Sequence, residues 1–196
     1  MAGAKKPSTA NKRVFQDINL KEALGVSLRG RAALKEAVAQ QLIDIIQKRA
    51  ESGKGVSFSP SGRSQEVSLR RPYSKKYAET DEFKAAGKSR GRVNMSLKGD
   101  MLGLMDVVQI KGNTVRIGWN DREEELKAHG HMTGQEGKNP KMQRPFFGVT
   151  NSDLRKVKKE FAGELREALK AEPSSREALI ANFLLKLTEN SEDSEE

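Results

Sequence analysis

"DVVQIKGNTVRIGW", residues 106–119, decides the fold class. Val107, Val108 and Ile110 run into Lys111-Gly112-Asn113, and Val115, Ile117 and Trp119 alternate beyond it. Apolar alternation on both sides of a short glycine-containing turn predicts an antiparallel hairpin. The flanking sequence has a different period. Upstream, "LRGRAALKEAVAQQLIDIIQKRAES" (28–52) places Leu34, Val38, Leu42, Ile45, Ile46 and Arg49 three or four residues apart, one stripe of a long helix. Gly53 and Gly55 end it, with Lys48 and Arg49 at its negative end. Downstream, Leu154, Val157, Phe161, Leu165 and Leu169 repeat that spacing until Pro173. Thr150 and Asp153 fit a capping box at its start, with Asp in place of Glu. The reading is α+β: a small antiparallel sheet packed against long helices, with extended loops and flexible termini.

Shorter elements fill the gaps. "DINLKEAL" (17–24) predicts a helix that Gly25 ends. Residues 55–69 read as two short strands around "SPSG" or as an irregular loop. Tyr73, Tyr77 and Phe83 or Ala85 lie at near-helical spacing in a short basic helix. Val93, Met95 and Leu97 alternate as a strand, and residues 99–105 form a short helix capped by Gly99 or Asp100. "NDREEELKAHGHMTG" (120–134) predicts a helix with an Asn120 or Asp121 cap, broken at Gly130. "SSREALIANFLLKLTEN" predicts a last amphipathic helix before the acidic end. The organisation expected is a basic arm and short helix over 1–27, an α+β core over 28–172, and a helix with an acidic tail over 173–196.

The 196 residues are 35% apolar and 32% charged, with a net charge of +9 although "ENSEDSEE" ends the chain. A basic body with an acidic end points to a polyanion or an acidic partner. There is no cysteine, which excludes disulfides, cysteine nucleophiles and thiolate metal sites. No apolar run reaches the roughly 20 residues of a membrane span, and no apolar segment follows the basic N-terminus. The expectation is a soluble, cytoplasmic chain with no membrane partner.

Catalytic signals are weak. His129 and His131 lack a spaced third ligand and read as structural or surface histidines, so no metal and no cofactor is expected. No nucleophile elbow, phosphate loop or dinucleotide fingerprint is present. The acids of "DREEEL" read as a solvated helix start. An enzyme is not expected.

Two binding readings remain. Arg63, Arg70, Arg71, Lys75, Lys76, Lys88, Arg90 and Arg92 gather with Tyr73 and Tyr77 into a basic patch. Cations neutralise phosphates and aromatic rings stack on bases, so one reading is a nucleic-acid-binding protein. The other is an assembly protein anchored by loop aromatics. Its candidate interface is Phe58, Arg144, Pro145, Phe146 and Phe147. Neighbours in an extended segment face opposite ways, so one ring of the Phe146–Phe147 pair is expected inward and one outward. The opposing possibility is that the pair caps the chain's own core.

Three segments carry a family resemblance. "VNMSLKGDMLGLMDV" (93–107) resembles the strand, turn and short helix of phage virion-morphogenesis and tail-completion proteins of the phage Mu type and related neck proteins. "GNTVRIGW" (112–119) is similar to their central strand. "HMTG" (131–134) followed by "RPFFGVTNSDLRKV" (144–157) is similar to their His-Gln-x-Gly, Arg-Pro-Phe-aliphatic-Gly and polar-Asp signature. Met132 stands where that family has Gln, and Phe147 where it has an aliphatic residue. The similarity covers roughly residues 70–170. It implies a non-enzymatic virion protein: a homo-oligomeric ring at the head–tail junction or upper tail end, touching neighbouring connector or tail proteins, with the basic section facing either genomic DNA or an acidic neighbouring ring.

Overall fold

Both halves of the hairpin form, as β4 (Met105–Lys111) and β5 (Thr114–Trp119). The computed structural model describes residues 6–10, 13–25, 27–59, 64–69, 72–91, 93, 100–134 and 143–170, without the side chains of 100, 160–162 and 164–170. A third strand, β1 (Phe15–Asn19), pairs antiparallel with β5, giving the sheet order β1-β5-β4. A second, two-stranded sheet joins β2 (Lys54–Phe58) to β3 (Ser64–Ser68), so residues 55–69 take the two-strand alternative. The fold is α+β with small antiparallel sheets and long helices, as expected.

β1 corrects the reading of the N-terminal segment. Only α1 (Leu20–Leu24) of the expected 17–24 helix is helical, with Asn19 accepting from the Lys21 and Glu22 amides and Gly25 closing it. The residues before it enter the sheet. Val14 and Leu20 are fully buried, and Phe15 also pairs with Ser8. Of the described residues up to Gly25, Pro7, Val14, Gln16, Ile18, Leu20 and Leu24 are buried, so the segment expected as an arm contributes to the core. "VFQDIN" carries its pattern over too few residues to distinguish a strand from a polar arm; pairing with β5 decides it.

One face of the β1-β5-β4 sheet is apolar. Val115, Ile117 and Trp119 of β5 point into the core with Ile18 of β1. The long helix α2 (Ala32–Glu51) covers that face with Leu34, Val38, Leu42, Ile43 and Ile46, all 0–1% exposed. Burial of several large aliphatic side chains contributes about 1.5–3 kcal/mol each before chain entropy is counted. The other face carries Asp17 and Arg116, joined at 2.7 and 2.9 Å, with the Arg116 guanidinium over the Phe15 ring.

The remaining elements close the core. α3 (Lys75–Ala78) and α4 (Asp81–Ala85) are single turns capped by Ser74 and Thr80, so the expected basic helix is split in two. α5 (Asp100–Gly103) lies where the short helix was expected. α6 (Arg122–Thr133) starts at the Asp121 cap and passes through Gly130 to end at Gly134. A single helical glycine costs about 1 kcal/mol relative to alanine and does not stop a helix held by tertiary packing. α7 (Asn151–Lys170) follows the predicted capping box: Thr150 N–H donates to Asp153 (2.8 Å) and Asp153 N–H to Thr150 Oγ1 (3.1 Å). The expected strand over 93–97 falls outside the described residues except for buried Val93, as does the last helix.

Candidate functional site

Residues 143–150 cross between α6 and α7 and tie most of the fold together. Arg144 N–H donates to the His131 carbonyl (2.7 Å), and the Pro145 carbonyl accepts from Val56 of β2 (2.7 Å). The Gln16 side-chain amide acts like one residue of a paired strand. It accepts from Val149 N–H (2.5 Å) and donates to the Val149 carbonyl (3.1 Å). Arg49, buried in α2, donates to the Gly148 carbonyl and to Asp153 (2.6 Å). Glycine is required at both closest approaches. A Cβ on Gly55 would collide with the Pro145 carbonyl oxygen, and one on Gly148 (φ 145°) would lie 2.9 Å from the Phe58 ring.

This geometry corrects the candidate interface. Phe146 and Phe147 are both 0% exposed. Trp119 packs against both, at 6.2 Å and 5.0 Å between ring centroids, and His131 meets Phe146 edge-on at 6.4 Å. Neither ring is an exposed anchor. The expectation of one inward and one outward ring fails because both rings pack on Trp119, and the Phe146 N–H bond to the Arg144 carbonyl (2.8 Å) turns the backbone away from a regular extended segment. Phe58 and Pro145 are half-buried, with Phe58 against Gly148.

Arg144 belongs elsewhere, in a cation cluster around Tyr73. Its guanidinium stacks over the Tyr73 ring at 4.9 Å, and Lys88 Nζ lies 5.2 Å from the same centroid and 3.4 Å from the Tyr73 hydroxyl. Arg90 Nε donates to the Tyr73 carbonyl (3.2 Å), and Tyr73 N–H returns a bond to the Arg90 carbonyl (3.2 Å). Tyr73, Tyr77 and Phe83 form a three-ring cluster with centroids 5.2–5.4 Å apart. That cluster buries Tyr73 and removes it as a platform for stacking bases. Lys75 and Lys76 are exposed on α3, while Arg63, Arg70, Arg71 and Arg92 lie outside the described residues. The cluster thus joins Lys88 and Arg90 of the predicted basic patch to Arg144, which the sequence placed in the other group.

The electrostatics of this cluster are unbalanced. Burial, then Arg144, lowers the Lys88 pKa. Burial also lowers that of Arg144, opposed by Tyr73 and Tyr77. His131 is pushed down to about 4 by burial, Arg144 and Lys88, so its imidazole is neutral at pH 7. Arg144 Nε is buried without a hydrogen-bond partner. Among the described residues no carboxylate pairs with Arg144, Lys88 or Arg90, although Glu82 acts on nearby Tyr77.

A second surface lies along β4, which is an edge strand of its sheet among the described residues. Leu104 and Val108 are the exposed large apolar side chains of the described residues, at 50% and 37%. The β4–β5 register shifts between Val107 and Gln109, which places Val108 at a bulge. The adjacent valines carry that signal in the sequence, because two neighbouring apolar residues cannot share one face of a regular strand.

Elsewhere, buried Glu125 of α6 holds the N-terminal segment. It accepts from Arg13 (2.7 Å), the Val14 amide (3.1 Å) and Arg122 (2.7 Å). Burial works against its charge, but these bonds prevail and its pKa is lowered. His129 is buried, and no group of three or more His, Asp or Glu able to hold a metal ion occurs among the described residues. No described helix is long and apolar enough to cross a membrane. No family model, curated protein or solved structure matches the chain.

Proposed function

We propose that this chain is a non-enzymatic virion protein of a tailed bacteriophage, assembling as a homo-oligomeric ring at the head–tail junction or upper tail end. The resemblance of residues 93–107, 112–119 and 131–157 to tail-completion and neck proteins supports the phage assignment. The observation that carries self-association is the β4 edge of the described sheet, where Leu104 and Val108 stand exposed.

The occupant of that edge is a second copy of the chain. A ring larger than a dimer needs a heterologous contact, so in this proposal the β4 edge of one copy meets a different surface of the next. Heterologous contacts close into rings when the rotation permits. The bulge at Val108 and the charges of Asp106 and Lys111 disfavour indiscriminate strand addition. Leu104 and Val108 then act as side-chain anchors within a polar face. The partners are the chain itself and neighbouring connector or tail proteins.

The test is electron microscopy of particles assembled without this chain, with wild-type chain restored, and with Leu104→Glu/Val108→Glu restored. Separate heads and tails in the first and third samples, and joined particles in the second, are expected. Joined particles in all three would overturn the proposal. The rival reading, nucleic-acid binding as the main function, loses its stacking platform with Tyr73 buried but keeps its cations.

A further inference from the structure

We propose that Arg144, Lys88 and Arg90, gathered around Tyr73, form a binding site for a phosphate group of a nucleic-acid backbone. This inference does not depend on the ring: the cluster would hold a phosphate whether the chain acts alone or in an assembly.

Three observations carry it. The cations converge on one residue: Arg144 and Lys88 lie 4.9 and 5.2 Å from the Tyr73 ring centre, and Arg90 is bonded to its backbone carbonyl. The convergence lacks a counter-charge, since no described carboxylate pairs with any of the three. Lys84 of the neighbouring turn, by contrast, lies 3.9 Å from Asp81. Arg144 is also incompletely satisfied, its Nε buried and unbonded while the ring of Tyr73 holds the guanidinium plane in place.

Like charges held together in partial burial repel one another and gain from a bound anion more than dispersed surface cations do. A guanidinium fork fixed by stacking suits an oxyanion, and Lys88 adds a point charge beside it. The site is reachable, because Arg144 and Lys88 are half-buried and Arg90 is exposed. A phosphodiester is favoured over a carboxylate by the charge that continues outward. Lys75 and Lys76 stand exposed on α3, immediately after Tyr73 and Ser74, and can follow a repeating backbone of phosphates. The buried tyrosine makes this contact electrostatic, without base stacking.

The experiment is a fluorescence-anisotropy titration of the full chain with a labelled DNA duplex of about 20 base pairs, repeated from about 50 to about 200 mM salt. Arg144→Gln, Lys88→Gln, Arg144→Lys and the control Lys21→Gln are compared. Thermal melts of each confirm folding. Expected are affinity that falls with salt, a several-fold loss for Arg144→Gln and for Lys88→Gln, and a salt slope reduced by about one in each. Arg144→Lys should recover only part of the affinity, because a lysine keeps the charge but not the stacked fork, and Lys21→Gln should lose little. Absence of duplex binding at the lowest salt would overturn the proposal. So would equal losses in the control. So would retention of DNA affinity by Lys88→Gln, which leaves the Arg144 stack in place. Inorganic pyrophosphate and a peptide of residues 189–196 are titrated in parallel. Binding of either one without duplex binding would assign the cluster to a small phosphate or to the chain's own acidic end, and would also overturn it.

Discussion

Asp153→Asn tests the joint that organises this molecule. Arg49 and Asp153 are 5% and 4% exposed, and they connect the last turn of α2 to the start of α7. The substitution keeps a side-chain oxygen for the Thr150 amide, so the capping box survives. It removes only the negative charge. Arg49 is then a buried cation whose partners, the Gly148 carbonyl and the side-chain amide oxygen at 153, are both neutral. Breaking a buried ion pair on one side costs about 3–5 kcal/mol. At roughly 2–4 °C per kcal/mol for a chain of this length, Tm falls by about 10 °C. Arg49→Met should cost a similar amount by leaving the carboxylate unpaired. The double variant Arg49→Met/Asp153→Asn removes both charges and should be more stable than the sum of the single effects predicts, by about 1–3 kcal/mol. Urea unfolding followed by the fluorescence of buried Trp119 gives all three values. A change below about 0.5 kcal/mol for Asp153→Asn, or strict additivity in the cycle, would refute the reasoning.

Two further outcomes follow from the same geometry. Phe147→Ala should lower stability by about 3–5 kcal/mol, because the ring is fully buried against Trp119; an unchanged urea midpoint would return Phe147 to the surface. His131 should make stability pH-dependent. Its pKa falls from 6.5 to about 4 on folding, so the folded chain binds fewer protons than the unfolded one between those values. The neutral-imidazole contribution is complete above pH 6.5 and is lost as pH falls to about 4. Measured against His131→Gln, wild type should lose up to about 3 kcal/mol across that window. Parallel stability curves for the two proteins would contradict the assignment.

The elements that were legible in the sequence are those whose periodicity runs long enough to count. The stripe from Leu34 to Ile46, the Val115–Trp119 alternation and the Thr150–Asp153 box all declare local physics, and the folded chain keeps them. The rest depends on distant partners. β1 exists because "FQDIN" meets β5 across roughly a hundred residues. The Phe146–Phe147 pair does not alternate as in a regular strand, because the chain turns at Pro145 and both rings meet Trp119. Arg49 stood in the apolar stripe as an anomaly, and its acid partner 104 positions away could not be chosen from spacing. Arg144 was grouped with its neighbours in sequence, whereas the Tyr73 ring groups it with Lys88.

The most direct test of the central claim is a count of joined particles by electron microscopy when this chain is withheld from assembly and then supplied as wild type or as Leu104→Glu/Val108→Glu. The account predicts separate heads and tails without the chain, joining restored by wild type, and no restoration by a double variant that melts like wild type. Joined particles without the chain, or full restoration by the folded double variant, would contradict it.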